Sequence, residues 1–196
     1  MELMEAIVHR RAVRRYADQP VPRPRVMELL QAAVWAPSAV NQQPWAFLVI
    51  RGREKLHEYS ERAKAHMLEI LPRYLELHQR SDELSGGSYN VFHNAGMLIV
   101  ILAKPAEHPP SEDCCLAAQN LMLAAHGMGL GTCPIGFVRP WLNLGDVKTE
   151  LGIPMSYTAV MPIVVGWPAG GTGPASRTEP EIVGWRDYTD GSQTRI

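Results

Sequence analysis

His9-Arg10-Arg11-Ala12-Val13-Arg14-Arg15-Tyr16 sets four arginines within six residues. Four such charges cannot all enter a core. The run follows a short amphipathic segment, residues 1–8, whose apolar Leu3, Met4, Ile7 and Val8 recur at helical spacing. It therefore predicts a dense cationic patch beside a helix end. Arginine suits a phosphate dianion, because its planar fork donates paired hydrogen bonds to phosphate oxygens. The octapeptide also fits a solvated basic turn.

The chain has 196 residues, enough for one domain with a sizeable core or a large domain with extensions. Hydrophobic residues make up 46% and charged residues 20%, an ordinary globular balance. The net charge of −1 argues against a nucleic-acid partner, since the arginine run has too little basic support elsewhere. No basic region followed by an apolar run opens the chain, and no apolar stretch approaches the roughly 20 residues that span a bilayer. A soluble cytoplasmic protein without a membrane partner is expected. Cys114, Cys115 and Cys133 are an odd count with no C-x-x-C spacing, which predicts neither a disulfide framework nor a metal site. The adjacent pair reads as small buried residues lining a helix.

Beyond the arginines, Pro20, Pro22 and Pro24 break the chain. A helix is predicted from Arg25 to Trp35, with Val26, Leu29, Leu30, Ala33 and Val34 on one face. It stops before Pro37. Ala36 to Pro44 is a loop rich in hydrogen-bonding side chains, and Trp45 to Ile50 a buried strand. Residues 53–80 read as helical with a break at Pro72, and Ser85-Gly86-Gly87-Ser88 as a flexible connection. His57, His66 and His78 lack ligand spacing and read as ordinary residues. Met97 to Leu102 is continuously apolar and predicts a central strand.

Ser111 is the expected N-cap of a helix running from Cys114 to His126, apolar nearly all round and so expected to be buried. Gln119 and Asn120 would be core hydrogen-bonders there. Leu130 to Gly136 enters a strand or extended loop, a short helix spans Asp146 to Leu151, and Tyr157 to Gly166 is a third strand. From Trp167 the tail carries five glycines and three prolines, yet also Arg177, Trp185 and Tyr188. Aromatic anchors on so coreless a tail point to packing on a partner subunit. Trp141 reads equally as a core or dimer anchor or as a substrate platform, and Cys133 as a packing residue.

In order, Arg10-Arg11-Ala12-Val13-Arg14, Pro37-Ser38-Ala39-x-Asn41-x-Gln43-Pro44-Trp45, Ala117-Ala118-Gln119-Asn120-Leu121-x-Leu123-Ala124-Ala125, Gly129-Leu130-Gly131-Thr132-Cys133-x-Ile135-Gly136 and Val165-Gly166-x-Pro168 resemble the nitroreductase family of FMN-dependent oxidoreductases. The resemblance implies an α+β fold with a mixed central sheet flanked by helices. It implies an intertwined homodimer with two FMN sites at the subunit interface. Residues 1–166 would be the FMN-binding core, and 167–196 an exchanged extension wrapping over the partner and extending its sheet.

By the same resemblance, Arg10, Arg11, Ala12 and Arg14 map to the family's phosphate-site positions. Pro37, Ser38, Ala39 and Asn41 would approach the flavin from the neighbouring subunit. Pro134, Ile135 and Gly136 would lie by the isoalloxazine ring, where backbone groups can meet N5 and O4. Arg177 falls where the family often places a late phosphate-binding arginine. The chain departs from the family at Ala12, where many members carry serine, and at Ala175, where many carry a second basic residue. Residues 54–88 do not match position by position.

The implied chemistry is flavin chemistry: NADH or NADPH passes a hydride to N5, and a small-molecule acceptor such as a nitroaromatic or quinone then takes it, by a ping-pong mechanism. No catalytic side chain and no metal is required. The competing readings are a specialised member of the same family, for dehalogenation, flavin breakdown or dehydrogenation, and a non-catalytic FMN-binding protein.

Overall fold

The computed structural model describes residues 2–70, 89–187 and 194–195. Its first helix, α1 (Leu3–His9), is followed by α2 (Arg23–Val34) and strand β1 (Trp45–Arg51). Then come α3 (Arg53–Ile70), β2 (Met97–Ala103), α4 (Ser111–Gly127) and β3 (Gly131–Pro134). Two short helices, α5 (Arg139–Leu142) and α6 (Gly145–Leu151), lead into β4 (Thr158–Gly166). Near the end, β5 (Arg186–Asp187) pairs antiparallel with β6 (Thr194–Arg195).

The main sheet has the order β1-β2-β4-β3. β2 is buried at every residue, as its unbroken apolar run predicts, because helices cover both sheet faces. Ile99 and Ile101 face one core with Leu29 and Ala33 of α2 and Ala117, Leu121 and Ala125 of α4. Leu98, Val100 and Leu102 face the other with Leu56 and Ala63 of α3 and Trp141 and Leu142 of α5. The two clusters follow from the two-residue period of a strand. An antiparallel sheet covered on both faces meets the α+β expectation. The expected mixed pairing does not hold for these strands: all of their pairings are antiparallel, and among the described residues the parallel contact is an isolated bridge from Ala12 to Thr132.

Other expectations change in detail. Helix α3 reaches Ile70; the rest of the predicted 53–80 helix, with Pro72, His78 and the Ser85–Ser88 connection, lies outside the described residues. Pro110, not Ser111, is the N-cap of α4, and no side chain caps that end. The helix is also one-sided. Cys114, Ala117, Ala118, Leu121 and Met122 are buried, while Cys115, Leu116 and Gln119 are exposed in the single chain. Small residues all round a helix permit burial without enforcing it. Asn120 donates to Ala32 O at 3.3 Å, tying α4 to α2 as a polar group between packed helices. Trp141 is a core anchor, buried and tilted against Tyr59 with ring centroids 5.5 Å apart.

Asn143 replaces a strand next to β4. Its Oδ1 accepts from Ala159 N at 2.9 Å and its Nδ2 donates to Ala159 O at 3.0 Å, so one side chain satisfies both backbone groups of that residue. No helix of the described residues is long and apolar enough to cross a membrane, and those residues contain no cluster suited to a metal ion.

Candidate functional site

The arginine run is extended chain stitched to the sheet edge. Val13 N donates to Thr132 O at 2.9 Å, Ala17 N to Trp167 O at 2.8 Å, and Ala169 N to Arg15 O at 2.9 Å. Val13 is buried, while Arg14 and Arg15 are exposed. The charges thus stand at the edge of β3, held by one apolar side chain and three backbone bonds.

Close approach there depends on glycine. A Cβ at Gly131 would lie 2.7 Å from Val13 Cβ and Cγ2, and one at Gly166 would lie 2.9 Å from Tyr16 Cδ1. Tyr16 in turn donates its hydroxyl to Val13 O at 2.6 Å, and burial drives its pKa far upward. Gly131→Ala should therefore push the arginine segment outward. The expected cost is about 1–3 kcal/mol, as for overpacking a tight contact. A lowered thermal midpoint in calorimetry checks it; an unchanged midpoint means the edge yields freely.

A cleft of about 340 Å³ opens beside this segment, lined by Arg10, Arg11, Thr132, His126 and the Pro168–Thr172 turn. Arg11 Nη1 donates to Val8 O at 2.6 Å and to Arg10 O at 2.9 Å, while its buried Nε has no hydrogen-bond partner. Arg10 and Arg11 give this cleft a cationic lining suited to a small anion. Arg14 lies apart from this cleft, beside Cys133. Burial raises the pKa of that thiol, and Arg14 and Arg10 oppose the shift. Arg10 thus acts on both neighbourhoods. Arg177 is exposed, its Nη1 donating to Ser176 O at 2.8 Å.

The Pro134–Gly136 segment leaves the sheet for a definite reason. Pro134 pairs with Ile163, and Ile135 N donates to Pro162 O at 2.8 Å. The reciprocal bond cannot form, because Pro162 has no N–H. The ladder stops there, and the chain turns into a single 3-10 turn, Gly136–Val138. Ile135 is buried while Pro134 and Gly136 are exposed. With Pro134 lacking an N–H and that of Ile135 engaged, Gly136 carries the segment's available backbone donor.

Pro37, Ser38, Ala39 and Asn41 occupy the loop before β1. Ser38 Oγ accepts from Gln43 N at 3.0 Å, and Asn41 Oδ1 accepts from Gln43 Nε2 at 3.1 Å. Both carboxylate oxygens of buried Asp113 accept from Ala39 N at 3.3 Å, pinning the loop to α4. Val40, Asn41 and Gln43 all have positive φ, Val40 at +44°. A β-branched residue there is a true outlier, held by its surroundings, and such strain gathers at binding sites.

This loop is not brought to the arginines within one chain. It adjoins the Trp45–Ala103 end of the sheet, whereas Arg51, Met97, Gly166 and Gly131 define the other end, next to the arginine edge. Six strand steps at about 3.4 Å separate these ends by roughly 20 Å.

A second cleft, of about 360 Å³, lies beside Arg51 and Arg53. Their guanidiniums donate to Val21 O at 2.9 Å and Ala17 O at 3.1 Å, and Arg53 also pairs with Asp18 at 3.3 Å. These arginines brace the turn that follows the arginine run. His57 contacts Asn90 Nδ2 at 3.1 Å, an ordinary structural role as expected.

Three residues of the site were not singled out by sequence: Asp113, Thr132 and His126. Each acts on another element, and local spacing carries no sign of such contacts beyond a histidine suiting a helix C-terminus.

The chain is similar to known proteins over most of its length. A protein of Methanothermobacter thermautotrophicus named as an NADH dehydrogenase/NAD(P)H nitroreductase is 30% identical over 186 residues, covering 93% of this chain and 86% of that protein. A chloronitrobenzene nitroreductase of Comamonas testosteroni is 30% identical over 196 aligned positions, covering 83% and 85%. The crystal structure of a Bacteroides fragilis nitroreductase with bound FMN superposes with a TM-score of 0.77 at 24% identity, covering 92% of this chain and 95% of that one. The nitroreductase family profile matches residues 7–167, so the chain with this arginine-edged antiparallel sheet belongs to the nitroreductase family.

Proposed function

We propose that this protein is an FMN-dependent oxidoreductase that uses NADH or NADPH to reduce nitroaromatic or quinone-type acceptors, acting as a cytoplasmic homodimer. The observation that carries the reading is the arginine edge: Arg10 and Arg14 on an extended segment stitched to a glycine-narrowed strand. Bound FMN supplies the two-electron chemistry, accepting hydride from the nicotinamide and delivering it to the acceptor.

The chain's own residues bind and orient. Arg10 and Arg14 hold the phosphate, with Arg11, the Ala12 backbone and Arg177 completing its surroundings. The serine hydroxyl that many family members offer at position 12 is absent, so a backbone N–H serves there. Pro134 and Ile135 set the ring's edge, and the Gly136 N–H is the donor toward N5 because its two predecessors have none to give. Pro37, Ser38, Ala39 and Asn41 reach the ring from the second subunit, a reading supported by the separation of loop and arginines within one chain. Residues 1–166 form the binding core and 167–196 the extension over the partner.

No G-x-G-x-x-G run after a strand offers a separate nicotinamide site. Donor and acceptor should therefore use the same open face in turn. Initial rates of NADPH or NADH oxidation at several acceptor concentrations should give parallel double-reciprocal lines, with excess acceptor competing against the nicotinamide. Intersecting lines would contradict the shared face. If neither nicotinamide bleaches the flavin anaerobically while dithionite does, a specialised or carrier role replaces reductase activity.

A further inference from the structure

The 37–43 loop carries backbone strain that its own side chains do not explain. Val40 has φ +44°, and Asn41 and Gln43 follow with positive values. A β-branched residue is disfavoured there. Val40 is 76% exposed, so packing of its side chain does not impose the conformation. The hydrogen bonds around it do, and one of them comes from a buried carboxylate on another element. We propose that Asp113 is a positioning residue: it fixes Ala39 N and so holds the loop in the strained shape that presents Ser38 and Asn41 to the flavin of a second subunit. This rests on the proposed reading that the loop reaches that flavin.

The bonding pattern sets Asp113 apart. Inside the loop, Ser38 Oγ accepts from Gln43 N, Ser38 O from Asn41 N and Ala39 O from Gln42 N, each at 3.0 Å. These bonds make the loop a unit without fixing where the unit sits. Among the described residues, two side-chain bonds tie that unit to the segment after β2. Gln42 Oε1 accepts from Glu107 N at 3.0 Å in an exposed setting, and Asp113 accepts from Ala39 N with both oxygens at 3.3 Å. The second bond is the sheltered one, and it meets the backbone one residue before Val40. Asp113 is buried in the first turn of α4, whose positive end favours a carboxylate. No ion pair among the described residues includes it. A buried carboxylate without a cation is a poor source of stability. What it supplies is an acceptor at a fixed point on a long helix, and strain of this kind persists only where the surroundings over-determine it.

Amide hydrogen exchange of the full chain, followed by NMR, measures the hold directly, and FMN titration measures its consequence. In Asp113→Ala the Ala39 amide should exchange about tenfold faster or more, and FMN should bind about tenfold more weakly or worse. The strong contact between the amide and α protons of Val40 that marks a positive φ should fade. Amides of β2 should keep their protection, because they report opening of the whole core. Asp113→Asn retains an acceptor oxygen in the same place and should stay within about threefold of the parent in both measurements. Unchanged Ala39 exchange in Asp113→Ala overturns the proposal. Equal acceleration across β2 also overturns it, since that is a general loss of stability. An Asp113→Asn variant as weak as Asp113→Ala rules out the acceptor role. If the loop loosens alone while FMN affinity stays at the parent's value, Asp113 holds the loop but the flavin does not meet it, and the shared-site reading falls.

Discussion

Arg10→Ala combined with Arg14→Ala should strip FMN from the protein during gel filtration. Each guanidinium hydrogen-bonding a phosphate contributes about 1.5–3 kcal/mol. Losing both should weaken binding by about 3–6 kcal/mol, or roughly 10²- to 10⁴-fold at 1.4 kcal/mol per tenfold. The fold should survive. Arg14 is exposed and Arg10 half-buried, and the segment is held to the sheet by backbone bonds and Val13 rather than by these side chains. Circular dichroism and the thermal midpoint of the flavin-free protein should therefore stay near the parent's. Arg11 makes a poorer single test, because its Nη1 closes the end of α1 through Val8 O and its removal would disturb the helix as well. If the double variant keeps its flavin through dilution as well as the parent, the phosphate lies elsewhere.

What the sequence could and could not reveal follows from the range of each signal. Strands β2 and β4 were legible because a strand buried on both faces must be apolar at successive positions, and the sequence has that run in each. Helix α2 was legible from its one-sided pattern, with Val26, Leu29 and Ala33 buried as expected. Their pairing was not legible, since strand direction depends on how distant connections close. The arginine run was read as a patch beside a helix end; its extended path along β3 depends on Gly131 and Thr132, more than a hundred residues away. Helix α4 misled through composition: alanine and cysteine tolerate burial on any side, so the exposed Cys115 face carried no mark. Asp113 sits at the positive end of α4, and its side chain grips Ala39 N in a distant loop. The departure of Ile135 and Gly136 from the sheet is fixed by Pro162, a cause that sits in a different strand. Candidate site residues were therefore nameable by resemblance, while the reasons for their positions are tertiary.

Truncation after Thr172 should leave a chain that is monomeric or insoluble and holds no flavin. The cut spares Pro168 to Thr172, which line the arginine cleft, and the Ala169–Arg15 bond, so the chain's own edge remains complete. Among the described residues that it removes, Val183 is 97% exposed, Ile182 63% and Trp185 60%. Tyr188, the other expected anchor, lies outside the described residues. Leu3, Met4, Ile7 and Val8 of α1 and Leu116 of α4 are exposed as well, an apolar surface that a lone chain would leave in water. Burying Ile182, Val183 and Trp185 against a second subunit should contribute about 1.5–3 kcal/mol each. Their loss should raise the dimer dissociation constant by roughly 10³- to 10⁶-fold. Flavin should leave with the dimer, because in the proposed arrangement the 37–43 loop meets the arginine edge from a second copy. Sedimentation velocity and the flavin-to-protein absorbance ratio measure the two losses separately. Arg177→Ala separates the tail's two proposed roles: it removes the side chain assigned to the phosphate and should weaken FMN while leaving the dimer intact. A truncated chain that sediments as a monodisperse monomer loaded with FMN would place the whole site on one subunit and refute the shared arrangement.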